Sequence, residues 1–127
     1  MLDQAMPMGF IAVGDFIAAR RFYEGILGLA FVSQDDFAMV LQSGPIVLRL
    51  ARPPELVIAP YTVFGWRVPD IGATAAALIA SGVTFERYPW FAEGQDDRGI
   101  WTAPNGDRIA WFKDPFGNLL SLSQHSS

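Results

Sequence analysis

Apolar residues recur along this chain in two periods, and the two periods follow each other in the same order twice. The first half opens on "MGFIAV" (8–13), bounded by Gly14-Asp15. It passes into "DFIAARRFYEGILG" (15–28), where Phe16, Ala19, Phe22, Tyr23 and Ile26 recur at helical spacing. A strand, then an amphipathic helix, is the expectation. Asp15 is its N-cap, because a carboxylate there accepts from the free N–H groups of the first turn, and Gly28 ends it. Three β-rich segments follow, "LAFVSQ" (29–34), "FAMVLQ" (37–42) and "PIVLRLA" (45–51), separated by Asp35-Asp36 and Ser43-Gly44. The order is β-α-β-β-β.

After the connector "RPPELVIAP" (52–60) the order starts again. "YTVFGWRV" (61–68) leads through the cap Asp70 into "DIGATAAALIASG" (70–82) and "VTFERY" (83–88), and the copy closes with "GIWTAP", the turn "NGD", "RIAWFK" and "DPFGNLLSLSQ". The repeat is visible in the letters. Val13-x-Asp15-x-x-Ala18 matches Val68-x-Asp70-x-x-Ala73, and Gly28-Leu29-x-Phe31 matches Gly82-Val83-x-Phe85. Phe64, Trp66 and Val68 share one face of their strand, opposite a helix rich in alanine (Ala73, Ala75, Ala76, Ala77 and Ala80). Large side chains on the sheet fill what small ones on the helix leave open, so Trp66 is assigned to the core.

Composition narrows the function more than the fold. The 127 residues suit one domain, and 51% apolar residues suffice for a core that hides about two thirds of the unfolded surface. A net charge of −4, with nine scattered Lys and Arg, lacks the basic stripe that nucleic acid requires. With no cysteine, disulfides and thiolate chemistry are excluded. The start "MLDQAMPMGFIAVGD" has no basic region before its short apolar run, and no segment approaches the ~18 apolar residues of a membrane span. The expectation is a soluble cytoplasmic protein without membrane or nucleic-acid partners.

Two β-α-β-β-β copies, "FYEGILGL" (22–29) in the first and "AWFKDPFGNLLSL" (110–122) closing the second, resemble the glyoxalase/bleomycin-resistance family, the vicinal oxygen chelate superfamily. The resemblance spans roughly residues 8 to 124. It implies an α+β fold: two tandem βαβββ modules (8–51 and 61–124, linker 52–60) in a single domain, their mixed sheets forming a cup with helices on the convex side. In the family's enzymes a divalent metal sits in the cup. One ligand stands seven residues before each capping Asp, and one carboxylate stands in the last strand of each module.

Carried over residue by residue, those positions are Met8, Val63, Arg49 and Ser121. A thioether, an alkyl group, a guanidinium and a hydroxyl do not hold a hard cation. No metal or other cofactor is therefore expected. His125, the sole histidine, falls in a tail expected to be solvated and mobile.

Strand parity from position 8 gives the expected cup lining: Met8, Phe10 and Ala12, Val47 and Arg49, Val63, Gly65 and Arg67, and Leu119, Ser121 and Ser123. Arg49, with Arg67, suits an anionic group of a small ligand. A salt bridge to Asp35, Asp36, Glu86 or Glu93 is the structural alternative. Trp90, Phe91 and Trp101, around the polar run "AEGQDDRG", suit the wall of a planar-ligand pocket, or else edge packing or a dimer contact.

The expected function is metal-independent binding of a small molecule, such as an aromatic or aliphatic acid, by a homodimer with Met8, Phe10, Arg49, Val63, Arg67, Trp90, Trp101 and Ser121 around the ligand. The alternative is a metal-dependent glyoxalase-like lyase or ring-cleaving dioxygenase with non-standard ligands, such as Gln34, Gln42, Glu86 and Glu93. Metal-free catalysis by Arg49 or Tyr88 is a third possibility, and no catalytic residue is assigned.

Overall fold

A computed structural model describes residues 1–91 and 94–126. The chain divides into two units, Met1–Ile58 and Ala59–Ser127. The fold class is α+β, and each unit carries a four-stranded mixed sheet.

In the first unit a single 3-10 turn, Leu2–Gln4, precedes β1 (Met8–Ala12), α1 (Phe16–Arg20), β2 (Ala30–Gln34), β3 (Ala38–Ser43) and β4 (Ile46–Ala51). The sheet order is β1-β4-β3-β2, with β1 parallel to β4 and the other pairs antiparallel. Asp15 caps α1 as expected, accepting from Ile17 N at 3.0 Å and Ala18 N at 3.4 Å. The helix does not continue as an α-helix to Gly28. Residues Arg21–Ile26 form a π-helical turn, with Leu27 N donating to Phe22 O at 2.9 Å. The wider turn lets the consecutive rings of Phe22 and Tyr23 both enter the core, edge to face at 5.1 Å. They lie among Ile11, Val13, Phe16, Ala19, Met39, Leu41, Leu48 and Leu50, all buried. Each large apolar side chain buried there contributes about 1.5–3 kcal/mol.

The second unit repeats the plan as β5 (Thr62–Arg67), α2 (Ile71–Ala80), β6 (Trp101–Thr102), β7 (Arg108–Lys113) and β8 (Leu119–Gln124), in the order β5-β8-β7-β6. Asp70 caps α2 through Ala73 N at 3.1 Å, and Gln124 Oε1 takes the neighbouring Ile71 N at 2.8 Å. Phe64, Trp66 and Phe112 meet on the helix side of this sheet, Phe64 to Trp66 at 5.0 Å and Trp66 stacked on Phe112 at 6.4 Å. Trp66 lies on the face its strand parity implies but is half-buried, at the border of the core rather than in it.

One expected strand is missing. Among the described residues the backbone of segment 83–88 pairs with β7 only at the bridge Phe85↔Phe112 and the bond Glu86 N to Trp111 O at 2.7 Å. The chain then leaves the sheet, makes a 3-10 turn at Pro89–Phe91, and returns to β7 as the two-residue β6. The outer strand of this sheet is thus split in two. Buried Gln95 replaces the lost ladder: its Oε1 accepts from Tyr88 N, and its Nε2 donates to Glu86 O and Gly99 O. Among the described residues no helix is long and apolar enough to cross a membrane.

Candidate functional site

Within its own unit each sheet carries its helix on one face and leaves the other face open. On the first sheet the register places Met8 beside Val47, Phe10 beside Arg49, and Arg49 beside Val40, so these side chains share the open face. Met8 and Phe10 are 47% and 64% exposed, which marks an exposed apolar surface. Arg49 is half-buried between Phe10 and Val40. Among the described residues its guanidinium makes no hydrogen bond or ion pair.

The carboxylates offered as internal partners are engaged elsewhere or lie farther off. Glu86 pairs with Lys113 at 3.4 Å. Asp35 accepts from Phe37 N and Ala38 N at 2.8 and 2.9 Å. The Ala38 and Phe37 N–H groups hold its pKa below the ordinary value, and the positive charge of Arg49 adds to this from a distance. Glu93 lies outside the described residues.

On the second sheet Gly65 faces Ser121, Arg67 faces Ser123, Trp111 faces Ser121, and Trp101 faces Ile109. Gly65 makes room for Ser121: a Cβ there would displace Ser121 Oγ and lie 3.2 Å from Ser121 O. Val63 stands at a slip in the β5–β8 register, so it interrupts the alternation that carries Gly65 and Arg67. Arg67 has its own partner and lines a shallow cavity of about 410 Å³ with Gln124 and His125, at the far end of the strand pair.

The tail is tied down rather than free. Ser126 N donates to Asp107 Oδ1 at 3.0 Å, Ser126 Oγ donates to Asn105 O at 3.0 Å, and His125 Nε2 is 3.2 Å from Ser123 Oγ.

The densest chemistry of the second sheet is aromatic. Phe91 stacks on Trp111 at 5.4 Å and 5°, and on Trp101 at 4.5 Å and 29°. Tyr88 meets Trp111 edge to face at 5.5 Å and carries Trp90 stacked on its other side at 4.9 Å and 13°. Trp90 is 72% exposed. Trp90, Phe91 and Trp101 are the expected aromatics of this surface, and Trp111 joins them unexpected. The alternation of Ile109 and Trp111 against Ala110 and Phe112 carried the signal: the buried partners face the helix, so Trp111 faces out. Burial, then the Glu86 carboxylate, raises the Tyr88 pKa above the ordinary phenol value, so Tyr88 stays protonated at neutral pH and is a poor base.

These residues do not suit a divalent metal. The positions matching the family's ligands hold an exposed thioether (Met8), a guanidinium (Arg49), a valine at a register slip (Val63) and a hydroxyl packed over glycine (Ser121). The substitute oxygen set fails on geometry. Gln34 pairs with Met39 and Gln42 with Ala30, which puts the two amides on opposite faces of the first sheet. Among the described residues no three His, Cys, Asp or Glu side chains come together.

A βαβββ repeat with the "DPFGN" turn before its last strand defines the class. The chain belongs to the glyoxalase/bleomycin resistance protein/dioxygenase superfamily, whose pattern matches residues 2–122. Solved structures share its fold. One is a glyoxalase family protein from Enterococcus faecalis, with a TM-score of 0.76 at 18% identity, covering 97% of this chain and 99% of that one. Lactoylglutathione lyase from Agrobacterium tumefaciens gives 0.73 at 18% identity, over 95% and 93%. An antibiotic-binding protein from Streptomyces sp. CB03234 gives 0.72 at 22% identity, over 99% of both chains. At these identities the likeness is one of fold alone. No protein of curated function matches the sequence.

Proposed function

We propose that this chain is a metal-independent small-molecule-binding protein, working as a cytoplasmic homodimer, which seats an apolar or amphipathic ligand on its open sheet faces. The observation that carries this is the cluster of Tyr88, Trp90, Phe91, Trp101 and Trp111 on one open face. A surface of flat, polarisable rings with few polar groups suits ligand burial, and among the described residues it offers no nucleophile beside a base. A protein of the same fold is an antibiotic-binding protein, so ligand capture is within the range of this architecture. On the first sheet, Arg49, which makes no ion pair among the described residues, suits an anionic group, which makes aromatic and aliphatic acids the favoured class.

The test is thermal stabilisation by matched pairs of small acids and their neutral amides. Acids are expected to raise the melting temperature and amides to do so much less, because a guanidinium gives a carboxylate two charge-assisted hydrogen bonds of about 1.5–3 kcal/mol each. Arg49→Lys is expected to weaken the acids about tenfold, and Arg49→Ala to abolish the acid preference while leaving apolar affinity. Variants that lose stability with unchanged selectivity would return Arg49 to a structural role. Zn, Ni and Mn are expected to leave the melting temperature unchanged. A rise of several degrees with one of them would overturn metal independence.

A further inference from the structure

The Pro89–Phe91 turn is held at its neck by hydrogen bonds and at its tip by ring contacts. Gln95 draws the two ends together, accepting from Tyr88 N at 2.8 Å and donating to Glu86 O and Gly99 O at 3.0 Å each. Beyond that neck the backbone bonds of the described residues are local: Phe91 N donates to Tyr88 O at 2.9 Å, and Phe91 O accepts from Gly94 N at 2.8 Å and Gln95 N at 3.0 Å. Among the described residues no hydrogen bond joins Pro89, Trp90 or Phe91 to a strand of the sheet. Ring contacts hold the tip down.

Those contacts are face-to-face ring stacks. The Phe91 ring lies parallel to Trp111 within 5° and stacks on Trp101 at 4.5 Å, while the two indoles are 6.4 Å apart. One benzene-sized ring therefore covers both. Gly94 sits against the edge of the Trp101 indole, where a Cβ would come within 2.7 Å of Cδ1, and so fixes that side of the seat.

We propose that Phe91 occupies the seat of the ligand: it is a tethered stand-in for a planar aromatic ring, and the 89–91 tip lifts when a flat ligand stacks on Trp101 and Trp111. This rests on the ligand face proposed above. Gln95 keeps both ends of the segment on the sheet, so the tip moves without opening the strands. Because the seat is already filled by a single ring, an incoming ligand must offer more overlap than that ring. The class is a fused, flat aromatic system; saturated rings of the same size lack the π face. The apparent affinity is lowered by the fraction of molecules with the seat closed.

The experiment is calorimetric titration of the full chain with acridine and with perhydroacridine, its saturated counterpart, in the native protein, Phe91→Ala and Phe91→Leu. Phe91→Ala is expected to bind acridine about tenfold more tightly than the native protein, as for a seat open about a tenth of the time. Phe91→Leu, which keeps apolar bulk without a flat ring, is expected to fall between them, and perhydroacridine to bind none of the three. Native protein that binds acridine as tightly as, or more tightly than, Phe91→Ala and Phe91→Leu would overturn the stand-in role and leave the ligand face intact. Absence of acridine binding to all three would overturn both.

Discussion

Asp35 shows how one side chain joins local structure to electrostatics. Its carboxylate ties down the turn between β2 and β3 through two backbone N–H groups and feels the charge of Arg49 from the neighbouring strand. Both effects favour the ionised form, so the folded-state pKa lies below the unfolded value near 3.8. The stability this adds is fully present above the unfolded pKa and is lost as pH falls through the folded one. Asp35→Asn should therefore flatten the stability curve below about pH 4 and change its slope little between about pH 5 and 8, measured by urea titration at a series of pH values. An acid limb identical in the two proteins would show that the turn does not depend on the charge. Gly65 and Ser121 form a pair of another kind: the hydroxyl lies where a Cβ would be, so packing rather than charge decides the residue type.

At the level of elements, the two modules solve the same problem differently. The first has a complete outer strand, β2, with one irregularity between Phe31 and Ser33. The second divides the equivalent strand and spans the gap with the hydrogen bonds of one side chain, Gln95. A buried amide that satisfies three backbone groups is costly to replace, because each group left without a partner carries about 1–3 kcal/mol. Gln95→Leu should lower stability by about 2–4 kcal/mol. It should also speed amide exchange at Tyr88 while leaving exchange at Ala110 to Phe112 slow. Equal loss of protection across β7 and β8 would mean that the split edge unfolds only with the whole sheet.

For the whole molecule, the open face of the first sheet is the outstanding feature. β1 is an edge strand in its sheet, and its outward side chains Met8 and Phe10 are apolar and exposed. Edge strands and apolar surface of this kind call for cover. A second copy of the chain is the proposed cover, consistent with a mean hydropathy of +0.25 in an acidic chain. Light scattering at micromolar concentration should give twice the chain mass of 14.0 kDa. A single-chain mass would remove the dimer from the proposal and leave Met8 and Phe10 as ordinary exposed surface.

Local chemistry was legible in the sequence wherever it is decided locally. Asp15 and Asp70 cap helices because a carboxylate before an apolar run has few better options, and the alternating apolar residues of β1, β3, β4, β7 and β8 have one face to bury. The same alternation, with the "DPFGN" turn, was enough to name the family. Tertiary structure decided what depends on partners distant in sequence. The π-turn follows from two rings entering one core, a demand that helical spacing alone does not express. The broken strand after α2 looked regular in "VTFERY", but the chain pairs there only around Phe85, and Gln95, ten residues on, closes the gap. Trp111 joined Phe91 and Trp101 only through register, since no local pattern says which ring lies over which. The tail holding His125 was fixed by Asp107 and Asn105, about twenty residues upstream, which solvent exposure of the last residues did not suggest.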